Sequence, residues 1–258
     1  MVNLTIREIG LKLSQAGRLK AAPLCIYGSE TIPEGAVPIK DINRCIANAI
    51  FELSVHKDTN AIYIGKEALE GCCPGGQAWF GYKPFLPMLK YFLSTGSEDF
   101  RGGASENLIA NPDLSEKRLK SVGKITPLNN YIVIRKCESI YEHDFDVKSF
   151  LCFGNSEQIR NLCSLAYFRP EDSFTVQMPW GPSCASFVTY PARMAVNGSR
   201  DCIIIGPTDP TGNYWFPPNY LSIGIPFEIA LRMVNDLDDS FIIKRSKIAY
   251  PEKRFTIG

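Results

Sequence analysis

The sequence predicts an α/β (or α+β) protein built from two pseudo-symmetric, diverged copies of one β-α-β-α-β-α-β unit. Three observations lead there. Short apolar runs closed by glycine alternate with stretches whose apolar residues recur at helical spacing. The run Leu24-Cys25-Ile26-Tyr27-Gly28 returns as Leu151-Cys152-Phe153-Gly154. The matches that follow stay in the same order, with a separation that shrinks steadily from Cys25/Cys152 to Gly96/Gly198, as loop deletions in the second copy would produce.

The elements follow in order. Residues 1–20 read as an N-terminal helix, 21–136 as the first repeat, 137–148 as a linker, 149–246 as the second repeat and 247–258 as a C-terminal tail. After each opening strand comes a helix. Asp41 to Val55 carries Ile42, Cys45, Ile46, Ala49, Ile50 and Leu53 at helical spacing, with Asp41 as N-cap. Ser156 to Phe168 carries Ile159, Leu162, Cys163 and Ala166, so Cys45 and Cys163 are expected at equivalent core-facing positions. The next strands are Ala61 to Gly65 and Ser173 to Gln177. Two similar loops come after them, Gly71-Cys72-Cys73-Pro74-Gly75-Gly76 and Trp180-Gly181-Pro182-Ser183-Cys184-Ala185. Both lead into apolar helical segments holding Pro84 and Pro87, or Pro191. Gly96-Ser97-Glu98-Asp99 then matches Gly198-Ser199-Arg200-Asp201, where a third strand, Asp201 to Gly206, is clear in the second copy. Helices Asp113 to Lys124 and Asn219 to Leu237 precede terminal strands at Asn129–Arg135 and Asp238–Lys244. Such alternation places helices over a sheet.

Composition excludes several functions. At 258 residues the chain can bury a large core without disulfides or metal. Twenty-eight Lys+Arg against 27 Asp+Glu leave a net charge of +1, and no basic run could track a phosphate backbone, so nucleic acid is not an expected partner. No apolar stretch approaches the ~20 residues that span a bilayer, and Met1 to Lys20 lacks the apolar core of a signal peptide. The nine cysteines are therefore read as thiols of a reducing cytoplasm. With His56 and His143 as the two histidines, a His-rich zinc site or a Ser-His-Asp triad has little to draw on.

Cys25, Cys152, Cys45, Cys163, Cys137 and Cys202 lie in or beside apolar elements, where cysteine packs as a small hydrophobe. Cys72, Cys73 and Cys184 differ, because they stand in Gly/Pro turns just ahead of helices. Free amides and the dipole at a helix N-terminus favour a thiolate. Gly75 and Gly76 would let backbone approach a ligand closely. The bland alternative is a pair of turns that need small residues where the halves meet. Three thiolates gathered there could hold an iron-sulfur cluster, a soft metal or tetrapyrrole iron, although Cys-x-x-Cys is absent. Asn155 and Gln158 open a helix, as a cap or, for Gln158, as a hydrogen-bonding group for a ligand. Arg193 and Arg200 could pair with a carboxylate or phosphate, or with internal acids. Tyr214, Trp215 and Phe216 form either a lid or a loop tip folded onto the core.

With both Cys-Gly loops in place the sequence resembles the domain of unknown function 169 family over nearly its whole length. The resemblance rests on Pro23, Cys45, Cys73-Pro74-Gly75-Gly76 with Gly81, and Gly154-Asn155 with Gln158. It continues through Gly181, Cys184-Ala185, Pro191, Gly198-Ser199-Arg200-Asp201 and Pro226, whereas the doubled Cys72-Cys73 departs from a single loop cysteine. That family supplies no reaction. The leading expectation is a cytoplasmic protein that binds a small ligand or a redox or metal cofactor between its halves, near Cys72, Cys73 and Cys184. The alternatives are a non-catalytic structural or protein-interaction module and a thiol-dependent enzyme; the oligomeric state is open.

Overall fold

Thr5 starts the first helix by a reciprocal cap: its hydroxyl accepts from the Glu8 amide while Glu8 accepts from the Thr5 amide at 2.7 Å. The helix, α1 (Ile6–Gly17), buries Ile6, Ile9, Leu13 and Ala16 on one stripe and ends where Arg18 turns left-handed (φ 54°). The computed structural model describes residues 4–39, 45–66, 74–141, 146–197, 202–209 and 215–244. After α1 come β1 (Leu24–Ser29), β2 (Val37–Pro38), α2 (Ile46–Val55), β3 (Ala61–Gly65), α3 (Pro74–Trp79), α4 (Leu89–Phe92), α5 (Pro112–Val122) and β4 (Tyr131–Lys136). The later part holds β5 (Val147–Asn155), α6 (Ser156–Ala166) and β6 (Val176–Gln177). A π-helical turn over Ala185–Thr189 then runs into α7 (Tyr190–Asn197), and β7 (Ile203–Gly206), β8 (Tyr220–Pro226), α8 (Phe227–Asp236) and α9 (Phe241–Lys244) follow.

The described strands form one eight-stranded mixed sheet in the order β2-β3-β4-β1-β5-β8-β7-β6. The edge pairs β2–β3 and β6–β7 are parallel and every other pair is antiparallel. Parallel neighbours need a crossover, which α2 supplies on one side and the π turn with α7 on the other. Counted outward from the centre, β1-β4-β3-β2 and β5-β8-β7-β6 show the same succession. Both edge strands are two residues long, which leaves little template for a foreign strand.

Helices cover both faces, so the central strands are buried on both sides. In β5, Phe150 and Cys152 point to the layer formed by α1, α6 and α8, and Leu151 and Phe153 to the layer formed by α2, α3 and the π turn. The second layer lies very close to the sheet. A Cβ at Gly206 would fall 2.3 Å from Ser186 Cβ, and one at Gly224 would fall 2.2 Å from Pro191 Cγ. Glycine at these two positions is what admits the π turn and the start of α7.

Several expected elements differ. Asn219–Leu237 is not one helix: β8 occupies its first part and α8 begins at Phe227, behind Pro226. Asp238–Lys244 is not a strand but a 3₁₀ turn followed by the single helical turn α9, with the Ser240 hydroxyl accepting from the Ile242 amide. Within Ser173–Gln177 strand pairing is confined to Val176 and Gln177, and the expected linker ends inside β5. The matching of the two Cys-bearing helices also fails, because α2 joins β2 to β3 whereas α6 joins β5 to β6. The element that shares the place of α2 is the π turn with α7. Cys45 and Cys184 each stand just ahead of a helical segment that joins a parallel strand pair. Cys45 and Cys163 are both half-buried rather than sealed in the core. The matches at Asp41 and Gly198–Asp201 lie outside the described residues.

Candidate functional site: the junction of the two halves

Gly75 and Gly76 open α3, the helix entered directly from Cys72-Cys73, which themselves lie outside the described residues. A Cβ on Gly75 would meet open space among the described residues. From the other half comes Cys184, 5 % exposed, at the start of the π turn. The two segments dock on one another. The Thr189 hydroxyl, one turn past Cys184, donates to the Trp79 carbonyl at the end of α3 at 2.5 Å. The Trp79 ring packs edge-on against Tyr190 at 5.6 Å and lies 6.4 Å from Trp180. Tyr190 in turn donates its hydroxyl to the Trp180 carbonyl, and burial pushes that phenol up to about 12. Gln77, Ser183, Ser186, Thr189 and Asp209, all buried polar residues, stand on the segments that meet here. Thr208, just after β7, accepts from the Gly181 amide and so fixes the turn that carries Cys184.

The remaining candidates divide. Arg193 belongs to the junction: Nη1 donates to the Val122 carbonyl at 2.9 Å, capping the C-terminal end of α5, where a cation is favoured. It also borders a cavity of about 20 Å³ beside Trp79 and Thr189, room for about one water. Gln158 is elsewhere, on the opposite layer. Its Oε1 accepts from the Asn155 amide in a capping box and its Nε2 donates to the Arg18 carbonyl at 2.5 Å, tying α6 to the end of α1. Arg200 and Tyr214 lie outside the described residues. Trp215 and Phe216 fold onto Phe51 of α2, with ring centroids at 6.1 and 5.2 Å, so these two join the core.

Buried thiols line the other face. Cys25, Cys137 and Cys152 share the core under α1, where Gly10 lies so close that a Cβ on it would sit 2.3 Å from Cys137 Cβ. Burial pushes the Cys137 thiol well above its ordinary value, with the hydrogen bond to Cys25 adding to the effect, and burial holds Cys152 at about 12. Cys163 is raised to about 11, again by burial. Cys137, Cys152 and Cys163 are thereby held as neutral thiols, and Cys25, Cys137 and Cys152 pack in the core as hydrophobes. Among the described residues no group of three or more His, Cys, Asp or Glu is arranged to hold a metal.

Two clefts escaped the sequence reading. One, of about 740 Å³, opens beside Tyr27 and Arg135 and is rimmed by Glu30, Glu34 and Asp146. The other, of about 260 Å³, has Lys136 in its wall. Lys136 could have been found: the period-two face Ile132, Ile134, Lys136 carries one residue beyond the expected strand and turns a lysine inward.

The family model for DUF169, described as an uncharacterised ArCR family, matches residues 12–236. The chain belongs to this family. No curated protein matches this DUF169 member, and no solved structure does. The match runs from α1 into α8, so it takes in both halves of the sheet and every described segment of the junction. Among the described residues no helix is long and apolar enough to cross a membrane.

Proposed function

We propose that this DUF169 protein is a duplicated α/β unit of the cytoplasm that binds a small ligand, or a redox or soft-metal cofactor, between its halves. The observation that carries the reading is the Thr189–Trp79 hydrogen bond, which docks the helix following Cys72-Cys73 onto the turn begun by Cys184. The duplication itself is supported by the identical strand succession on either side of the centre. Thiols set ahead of helices are the residue type for soft-metal or redox chemistry, and Gly75 offers room for a bound group. Cys72, Cys73 and Cys184 would supply ligating sulfur, and Arg193 a cation at the margin.

The test is to purify the full chain without oxygen and measure its metal content and the small molecules released on denaturation. Stoichiometric metal or one organic compound is expected, and its loss in Cys184→Ala and in a Cys72→Ala/Cys73→Ala double variant. Protein that carries nothing, and whose three thiols react no faster than free cysteine, would overturn the proposal. The close packing at Arg193, with its 20 Å³ cavity, favours the second reading, a structural module whose Cys-Gly turns only shape the junction.

A further inference from the structure

The cleft beside Lys136 lies on the far side of the sheet's centre from the Cys184 turn, where α1, the chain entering β1, the end of α2 and the residues after β4 converge. Lys136 is 3 % exposed and follows Ile132 and Ile134 on the apolar face of β4. Its ammonium donates to the His56 carbonyl at the end of α2, 2.6 Å away. An ammonium carries three N–H donors, and a buried charge is stable only when it is paired or well hydrogen-bonded. Among the described residues no carboxylate lies within ion-pair distance of Lys136.

The rest of the cleft has the same sign. Lys20, Lys57 and Lys136 line it against one acid, Glu138, which leaves a surplus of two positive charges among Lys and Glu. Leu11, Leu19 and Val55 add apolar wall, and Ser14 adds a hydroxyl. A volume of about 260 Å³ exceeds what an inorganic ion fills and lies just below the ~300 Å³ at which pockets for drug-sized ligands begin. We propose that this cleft binds the carboxylate or phosphate group of a small organic anion, with Lys136 as the buried anchor and Lys20 and Lys57 as the outer cations. The site is independent of the junction, and neither reading rests on the other.

Backbone amide NMR of the full chain tests it. The protein is titrated with inorganic phosphate and, separately, with hexanoate, chloride holding the ionic strength constant. Saturable shifts are expected at Gly10, Ser14, Val55, Lys57 and Glu138 with at least one of the two. Phosphate alone assigns a phosphate ester, hexanoate alone a carboxylic acid, and both assign the shared anionic group. Lys136→Met should weaken binding by about tenfold or more, and the Lys20→Met/Lys57→Met double variant by about threefold, as a buried and a rim charge differ. Both rim residues are exposed, so the double variant decides the matter should Lys136→Met fail to fold. No saturation by about 10 mM of either anion, or undiminished binding in the double variant and in any folded Lys136→Met protein, overturns the proposal.

Discussion

Replacing Gly224 with alanine adds one carbon at the point where α7 meets the sheet. The new Cβ would stand 2.2 Å from Pro191 Cγ, 3.1 Å from Pro191 Cβ and 3.0 Å from the Ser186 carbonyl oxygen. Carbon atoms pack at about 3.5–4.0 Å, so something must move by more than 1 Å. A proline ring cannot rotate away, and the Ser186 oxygen is backbone. Overpacking of this kind costs about 1–3 kcal/mol, and the rigidity of both neighbours places this site at the upper end, near 3. Against that, the unfolded chain loses freedom when glycine becomes alanine, which returns about 0.4–1 kcal/mol. The net expectation is a loss of about 2 kcal/mol in urea unfolding, with an unchanged m-value. Gly75→Ala is the matched control: the same carbon meets nothing among the described residues and should stabilise by about 0.5–1 kcal/mol. A Gly224→Ala protein as stable as its parent to within about 0.5 kcal/mol would refute the close approach of α7.

Other expectations follow from individual groups. Asn155→Ala removes the cap of α6 and half of the box with Gln158, and should cost about 1 kcal/mol in the same assay; no change would deny the cap. Cys25, Cys137, Cys152 and Cys202 should resist thiol reagents in native protein, and rapid labelling of any of them, read by mass spectrometry, would contradict their burial. The Cys152 thiol titrates at 9.0 when unfolded and at about 12 when folded, so its contribution is full below pH 9 and is lost as pH rises from 9 towards 12. Stability that stays flat over that alkaline range would argue against the raised value. Hydrogen bonds from Lys120 and Lys90 lower the Glu116 carboxyl to about 2, so its pairing persists below the unfolded 4.5 and fades only as pH falls towards 2. An NMR titration midpoint at 4 or above would exclude those pairs.

Elements whose signal is local were legible in the sequence. Leu24–Gly28, Ala61–Gly65 and Ile203–Gly206 are apolar runs stopped by glycine, and each is a strand. The helix expected over Asp113–Lys124 is α5, which begins one residue earlier behind the Asn111 cap. The error at Asn219–Leu237 has a physical cause. Leu221, Ile225, Ile229, Met233 and Leu237 recur every four residues, a spacing that satisfies both the period of a strand and that of a helix. Pro226 was the available arbiter, since it closes β8 and stands at the N-cap of α8. Phe241-Ile242-Ile243 has strand-forming residues, yet Ser240 turns it helical. Of the candidate site, the α3 segment docks on the Cys184 turn through Trp79 and Thr189, while Cys72 and Cys73, on which the expectation turned, lie outside the described residues. The aromatic residues that hold it, Trp79, Trp180 and Tyr190, went unread because ring contacts across halves leave no spacing in the chain. Gln158 shows the reverse: its neighbours in sequence already supply the cap that explains it.

β1 and β5, the strands at the centre of the sheet, come from opposite halves and pair directly through Leu24, Cys25 and Ile26. What would be a separable border in a two-domain protein is here a ladder of backbone hydrogen bonds sealed by helices on both faces. A fragment ending before β5 would expose the open side of β1, and its counterpart would expose β5, each an unprotected apolar strand edge. Produced singly, the pieces should precipitate; produced together, each is the other's missing neighbour. The protein is thus a natural candidate for split-reporter use, with reassembly governed by the central rungs and not by a surface patch.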